Sequence, residues 1–250
     1  MKSRHVKYTK SWVQSEKNSA LSLRSKGVLQ KLKKSYPGSK IMLNYTTPMQ
    51  LLVAVMLSAQ CTDKQVNKIT STLFKKYKTA KDFSRAQQAT LEKEIYGTGF
   101  FRNKAKNVIA SAKIIVQQHD GEVPQTMEEL LQLPGVARKT ANIVLIIAFK
   151  KSVGIPVDTH VSRIAQRLAF TKNNTPEKIE QDLMTLFPKQ TWARLSYYFI
   201  EHGRAACISQ KPKCETCPIR DLCPSERVTL PQKKLKAQLK QPAAATVARK

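Results

Sequence analysis

The sequence predicts an all-α fold, and three observations carry that prediction. Apolar residues recur at helical spacing along most of the chain. Threonine and proline capping signals open one segment after another. No stretch sustains the apolar and polar alternation of a half-buried strand.

The elements follow in order. Thr47-Pro48-Met49-Gln50 is a capping box with proline at the first helical position, opening a buried helix that runs through Ala59. Thr62-Asp63-Lys64-Gln65 is a second box, and Val66, Ile69, Leu73, Phe74 and Tyr77 then line one face. Ala105, Val108, Ile109, Ala112, Ile115 and Val116 mark a third amphipathic helix that Gly121 closes. Thr126-Met127-Glu128-Glu129 starts a short helix that Pro134 must end. Val161, Ile164, Ala165 and Leu168 mark the next, and Thr175-Pro176 opens another. The last runs from about Trp192 to Ala206 and delivers Cys207. The loop 150–157 reads as a boundary between two helical halves, and no internal repeat is present.

Charge bounds the partners. The 250 residues carry a net charge of +27. Residues 1–40 contribute +10 and residues 231–250 contribute +6, so the body between them still holds +11. A basic body with basic tails implies a polyanion, and nucleic acid is the leading candidate. An anionic membrane surface would need an amphipathic, aromatic anchor helix, which the sequence lacks. The longest apolar runs, 51–57 and 143–149, are too short to cross a bilayer. The N-terminus has no apolar core of a secretory signal. Its Lys, Arg and Ser content leaves an organellar transit peptide open. The first twenty residues and the last twenty read as disordered tails.

Four of the five cysteines fall within 17 residues, spaced Cys207-x6-Cys214-x2-Cys217-x5-Cys223. Two disulfides are a poor reading in a chain with no secretion signal and enough residues to build a core unaided. Four thiolates from one short loop can instead close around an iron–sulfur cluster or a tetrahedral zinc, and spacing alone does not choose between them.

Leu133-Pro134-Gly135-Val136-Ala137-Arg138-Lys139-Thr140-Ala141 joins the short helix to a longer one ending near Phe149. Proline stops the first helix, Gly135 makes the turn, and the second helix starts at once. Its unpaired N-terminal amides suit a phosphate. An ordinary αα-hairpin is the plain alternative. Lys139 falls in the first turn, where the helix dipole disfavours a cation and favours the free amine a Schiff-base nucleophile needs. Asp158, in Pro156-Val157-Asp158-Thr159-His160, is placed to cap the following helix. Near Lys139 it could also accept the amine's proton or stabilise positive charge on a sugar ring.

With these residues in view, the chain resembles the endonuclease III family of helix-hairpin-helix DNA glycosylases. The resemblance spans roughly residues 28–225. It rests on Leu57-Ser58-Ala59-Gln60-x-Thr62-Asp63, on the hairpin through Asn142, on Val157-Asp158-Thr159-His160, on His202-Gly203-Arg204 and on the cysteine spacing. It implies a base-excision-repair enzyme, a bifunctional DNA glycosylase and AP lyase that removes oxidised pyrimidines from duplex DNA and cuts abasic sites by β-elimination. By resemblance Lys139 is the nucleophile at C1′ and Asp158 assists departure of the base. A [4Fe-4S] cluster on Cys207, Cys214, Cys217 and Cys223 then replaces zinc. Gln60 would fill the gap left by the flipped base, and Phe100 stands where the family has a leucine wedge, with packing near Gly99 as its plain alternative. Gly135, Ala137, Arg138, Lys211 and Lys213 would face DNA phosphates.

The resemblance also implies a six-helix domain over 43–150. A discontinuous cluster domain would join a helix near 21–36 to 151–230. The partner implied is double-stranded DNA bearing damaged bases or abasic sites, bound by a monomer, with no membrane. The location implied is cytoplasmic and nucleoid-associated if the source is bacterial. Ala137 departs from the family's Gly-x-Gly hairpin, at about 1–2 kcal/mol if the position needs positive φ. Cys61 reads as a buried thiol, and the four histidines as structural. A monofunctional mismatch-type glycosylase and a cluster-bearing DNA-binding module without activity are the alternatives, and the Lys139 and Asp158 pair argues against both.

Overall fold

A computed structural model describes residues 16–225, all of them helix, turn or irregular loop with no strand among them. The tails expected at 1–20 and 231–250 lie outside the described residues, except for 16–20. There the expectation of disorder is corrected, because helix α1 spans Asn18–Ser35. Lys17 provides no side-chain cap. Instead Arg24, nearly buried, donates to Glu16 at 2.7 and 2.8 Å and to the Leu168 carbonyl at 2.6 Å. An ion pair withdrawn from water anchors the helix start across the chain.

Helix α2 (Pro48–Leu57) is apolar all round and buried from Met49 to Leu57, as a central core helix must be. Its Thr47 cap accepts from the Gln50 amide at 3.2 Å, while the Gln50 side chain reaches one residue further back, to the Thr46 amide at 2.9 Å. Helix α3 (Asp63–Lys76) starts on Thr62 as the box predicts. Two short helices that the periodicity does not reveal, α4 (Ala80–Ser84) and α5 (Gln88–Glu94), come next. Helix α6 (Phe101–Gln118) ends at Gly121, whose φ of 83° lets its amide return to the Ile115 carbonyl at 3.0 Å. Helices α7 (Met127–Leu131) and α8 (Arg138–Phe149) form the hairpin. Then follow α9 (Thr159–Arg167), α10 (Pro176–Leu186) and α11 (Trp192–Ala205).

Two apolar cores result. One gathers buried residues from Leu43 to Leu145, along an unbroken length of chain. The other joins Val28 and Leu32 of α1 to residues from Ile155 to Ile219. The α8–α9 connection crosses the seam between them. Among the described residues no helix is long and apolar enough to cross a membrane.

Candidate active site and metal centre

The hairpin is built by backbone constraint. Gly135 has φ of 79°, and a Cβ there would lie 2.7 Å from Asn107 Nδ2 and 2.9 Å from Asn107 Cβ. Conformation and space both demand glycine. Ala137, the N-cap of α8, sits at φ −88° and ψ 168°, which is ordinary extended backbone. The strain conditional on positive φ is therefore absent, and alanine costs nothing there. Ala137 offers α8 no side-chain cap, so the helix start keeps donors available for an anion. Lys139, the second residue of α8, is exposed and lines a cleft of about 1000 Å³ at the seam. Arg138 is partly committed elsewhere, its Nε donating to Glu180 Oε2 at 2.5 Å.

Asp158 lines the same cleft from the other half. Its Oδ1 accepts from the His160 and Val161 amides, both at 2.8 Å, so the capping role is real. Its Oδ2 makes no capping bond and lies 3.6 Å from His160 Nδ1. One oxygen of the carboxylate thus caps α9 and the other stands beside the His160 ring. The loop ahead of it is pinned where Ser196 donates to the buried Pro156 carbonyl at 2.7 Å. Cys61 also borders the cleft and is half-buried, more open than the buried thiol expected of it.

Gln60 joins the two clefts of the site. It borders the large one, and with Phe100, Asn103, Asn107 and Gly135 it borders a smaller one of about 230 Å³. Phe100 is 66% exposed, which overturns core packing as its role. Gln60 and Phe100 also hold left-handed backbone, at φ 55° and 47°. Each such conformation costs a non-glycine residue about 1–2 kcal/mol and persists where neighbours over-determine it. Lys104 supplies part of that constraint. Its buried Nζ donates to the Leu57 and Thr98 carbonyls, both at 2.8 Å, tying the turn before Gln60 to the turn before Phe100.

All four C-terminal cysteines line one cavity behind α9 and α11, and all are free of disulfides. Four thiols lining one cavity are a donor set that suits an iron–sulfur cluster. Burial pushes the Cys217 thiol up to about 11 and the Cys223 thiol up to about 12, so thiolates there need a compensating cation, which iron supplies. Arg167 donates to Cys207 Sγ at 3.2 Å and to the carbonyls of Ile208 and Ser209 at 2.9 and 2.7 Å. Arg163, which borders the large cleft, reaches the Cys207 carbonyl at 3.2 Å. Buried His202 approaches Tyr36 Oη at 3.1 Å and Cys217 Sγ at 3.7 Å, and burial lowers its pKa to about 4, keeping it neutral. Lys211 and Lys213 stand exposed on the first cysteine loop.

Sequence reasoning does not single out Arg163, Arg167, Lys104 or Glu180. Each has at least one partner 40 or more residues away. All four are charged residues on helices, with side chains that bond to distant segments, and such pairings are not written in one sequence.

Lys139 on the helical hairpin and Asp158, the cap of α9, thus line one cleft, with Lys40, Arg163 and Arg204 also at its wall. The fold and its hairpin are those of the helix-hairpin-helix DNA glycosylases. The pattern of HhH-GPD superfamily base excision DNA repair proteins matches residues 53–189, and that of the iron–sulfur binding domain of endonuclease III matches residues 207–223. Endonuclease III of Synechocystis sp. is 52% identical over 206 residues, covering 82% of this chain and 94% of the relative. That of Escherichia coli K12 is 38% identical over 196 residues, covering 78% and 92%. A trapped covalent intermediate of an endonuclease III with DNA superposes with a TM-score of 0.79 at 38% identity, covering 86% of this chain and 98% of that one. The chain belongs to the endonuclease III family, and its cofactor is a [4Fe-4S] cluster.

Proposed function

We propose that this protein removes oxidised pyrimidines from duplex DNA and cleaves the resulting abasic site as a DNA glycosylase and AP lyase, with Lys139 and Asp158 carrying the chemistry. The observation that supports this assignment is the cleft they share, one residue entering from each half of the molecule. In this reading the damaged nucleotide leaves the base stack and enters the cleft. Lys139 Nζ attacks C1′ while the glycosidic bond breaks, and the departing base takes a proton from water. Asp158, through its uncapped Oδ2, stabilises the positive charge growing on the sugar and takes the proton that Nζ must lose. The C1′–O4′ bond then opens, O4′ taking a proton, as Nζ and C1′ form an imine; the C2′ proton is lost, and the C3′–O bond breaks with the 3′ phosphate leaving. Water releases the opened sugar and restores the amine.

Around this chemistry, Gln60 fills the vacated space in the duplex and Phe100 wedges the stack. The amides after Ala137, with Lys211 and Lys213, hold phosphates. Cys207, Cys214, Cys217 and Cys223 hold the cluster, which supplies rigidity to that basic loop. The protein acts as a monomer, since one chain carries both partners of the reaction. Duplex DNA with a single thymine glycol tests the proposal. Wild type is expected to release the base and nick the strand, while Lys139→Ala nicks at least about 10²-fold more slowly. Equal nicking by both proteins contradicts the assignment.

A further inference from the structure

We infer that Glu180 is a positioning residue for this reaction, a buried carboxylate that fixes the hairpin amine against Asp158 across the seam; the inference rests on the Lys139 and Asp158 reading above. Glu180 belongs to α10, and its side chain is only 3% exposed. Its Oε2 accepts from Arg138 Nε at 2.5 Å, and its Oε1 accepts from Asn142 Nδ2 at 2.8 Å and from the Ile155 amide at 3.1 Å. Arg138 and Asn142 are one helical turn apart on α8 and bracket Lys139. Ile155 lies three residues before Asp158, on the loop that carries it. One carboxylate from a third element therefore holds the lysine's helix and the aspartate's loop at once.

Two details show that the place is built for the carboxylate. A Cβ at Gly154 would fall 1.9 Å from Glu180 Oε1 and 2.7 Å from Asn142 Oδ1, so the backbone closes directly over the group. No left-handed φ accounts for that glycine; space does. Asn142 turns its Nδ2 toward Glu180 and leaves its own buried Oδ1 without a hydrogen bond. A carboxylate out of water is expensive unless charged and neutral donors surround it, and an apolar side chain fills a core at less cost. What apolar filling cannot do is bind α8 and the 150–158 loop in a fixed register. The three bonds of Glu180 run to α8 and to the loop. Its loss would loosen the distance between amine and aspartate more than it would loosen the fold.

The test uses the full-length, cluster-loaded protein on abasic-site duplex, with borohydride trapping measured in single turnover at saturating enzyme. Binding is measured separately on the uncleavable tetrahydrofuran analogue of an abasic site. Misplacement of reacting groups by an ångström costs on the order of 10²-fold in rate, so Glu180→Leu should trap about 10²-fold more slowly while its Kd stays within about threefold. Glu180→Gln keeps an acceptor for Asn142 and Ile155 and loses only the anion facing Arg138, so it should fall between wild type and Glu180→Leu. Gly154→Ala leaves Glu180 chemically intact and displaces it with a methyl group, and should slow trapping by at least about tenfold. These variants also cover the case in which Glu180→Leu fails to fold. Trapping at the wild-type rate in Gly154→Ala and Glu180→Gln overturns the inference, as does a loss of affinity equal to the loss of rate. A wild type that forms no adduct at all would instead sink the underlying assignment.

Discussion

The two halves of this molecule are held together by different means. The half containing α2 to α8 folds along one continuous stretch of chain around one core, from Leu43 to Leu145. The other half takes α1 from one end of the described chain and α9 to α11 from the other. Its final loop, beyond Ala205, is irregular apart from two single turns at Cys214–Thr216 and Arg220–Leu222. Local contacts are entropically easier to close than distant ones. The first half can therefore fold on its own helices, whereas the second needs a returning helix and a cluster. The cleft lies where the self-sufficient half meets the assembled one, with Lys139 on one side and Asp158 on the other.

Removing a cluster ligand should break the comparison most sharply. Cys217→Ser is expected to lose the visible iron–sulfur absorbance and the nicking activity together, while circular dichroism retains the helices of the first half. A colourless variant with full activity would show that the second half does not depend on its cluster.

Asp158→Asn comes next. The amide keeps an oxygen to cap α9 but carries no charge, so base release should slow by about 10²–10⁴-fold with little change in Tm. Asp158→Ala should add a capping loss of about 1 kcal/mol in thermal unfolding. Equal Tm losses in the two variants would mean that the cap and the charge are inseparable.

Core truncations sharpen the contrast at a smaller scale. Leu32 and Leu91 are buried at 0% and 1% exposure, one in each core. Each Leu→Ala change should cost about 2–5 kcal/mol. Only Leu32→Ala should speed the loss of iron to a chelator, and equal rates would erase the distinction.

The smallest effect concerns α4, where Asp82 completes a capping box with Thr79. The backbone amides of Thr79 and Lys78 hold the Asp82 carboxyl below its usual range. A carboxyl depressed in the folded state contributes stability that is complete above the unfolded value of about 4 and fades as pH falls through the folded value. The stability difference between wild type and Asp82→Ala should be about 1 kcal/mol or less at pH 7 and shrink as pH falls below the unfolded carboxyl value. A difference that grows on acidification would contradict the cap.

Legibility in the sequence followed the same division. The helices opened by Thr47, Thr62 and Thr126 could be read because cap and periodicity lie within a few residues of each other. Helices α4 and α5 could not, since five and seven residues are too few to display a repeat. Lys139, Asp158 and the four cysteines announced themselves by motif. Glu180 did not, because its bond to Arg138 spans 42 positions. Phe100 shows a subtler limit. The sequence allowed a wedge or a core residue, and only its left-handed backbone and 66% exposure separate the two.

The account turns on which amine bonds to the sugar. Borohydride-trapped protein on abasic DNA, digested and mapped by mass spectrometry, should carry its modified deoxyribose on the peptide containing Lys139 and at that side chain. An adduct on another lysine, with the peptide around 139 unmodified, would contradict it.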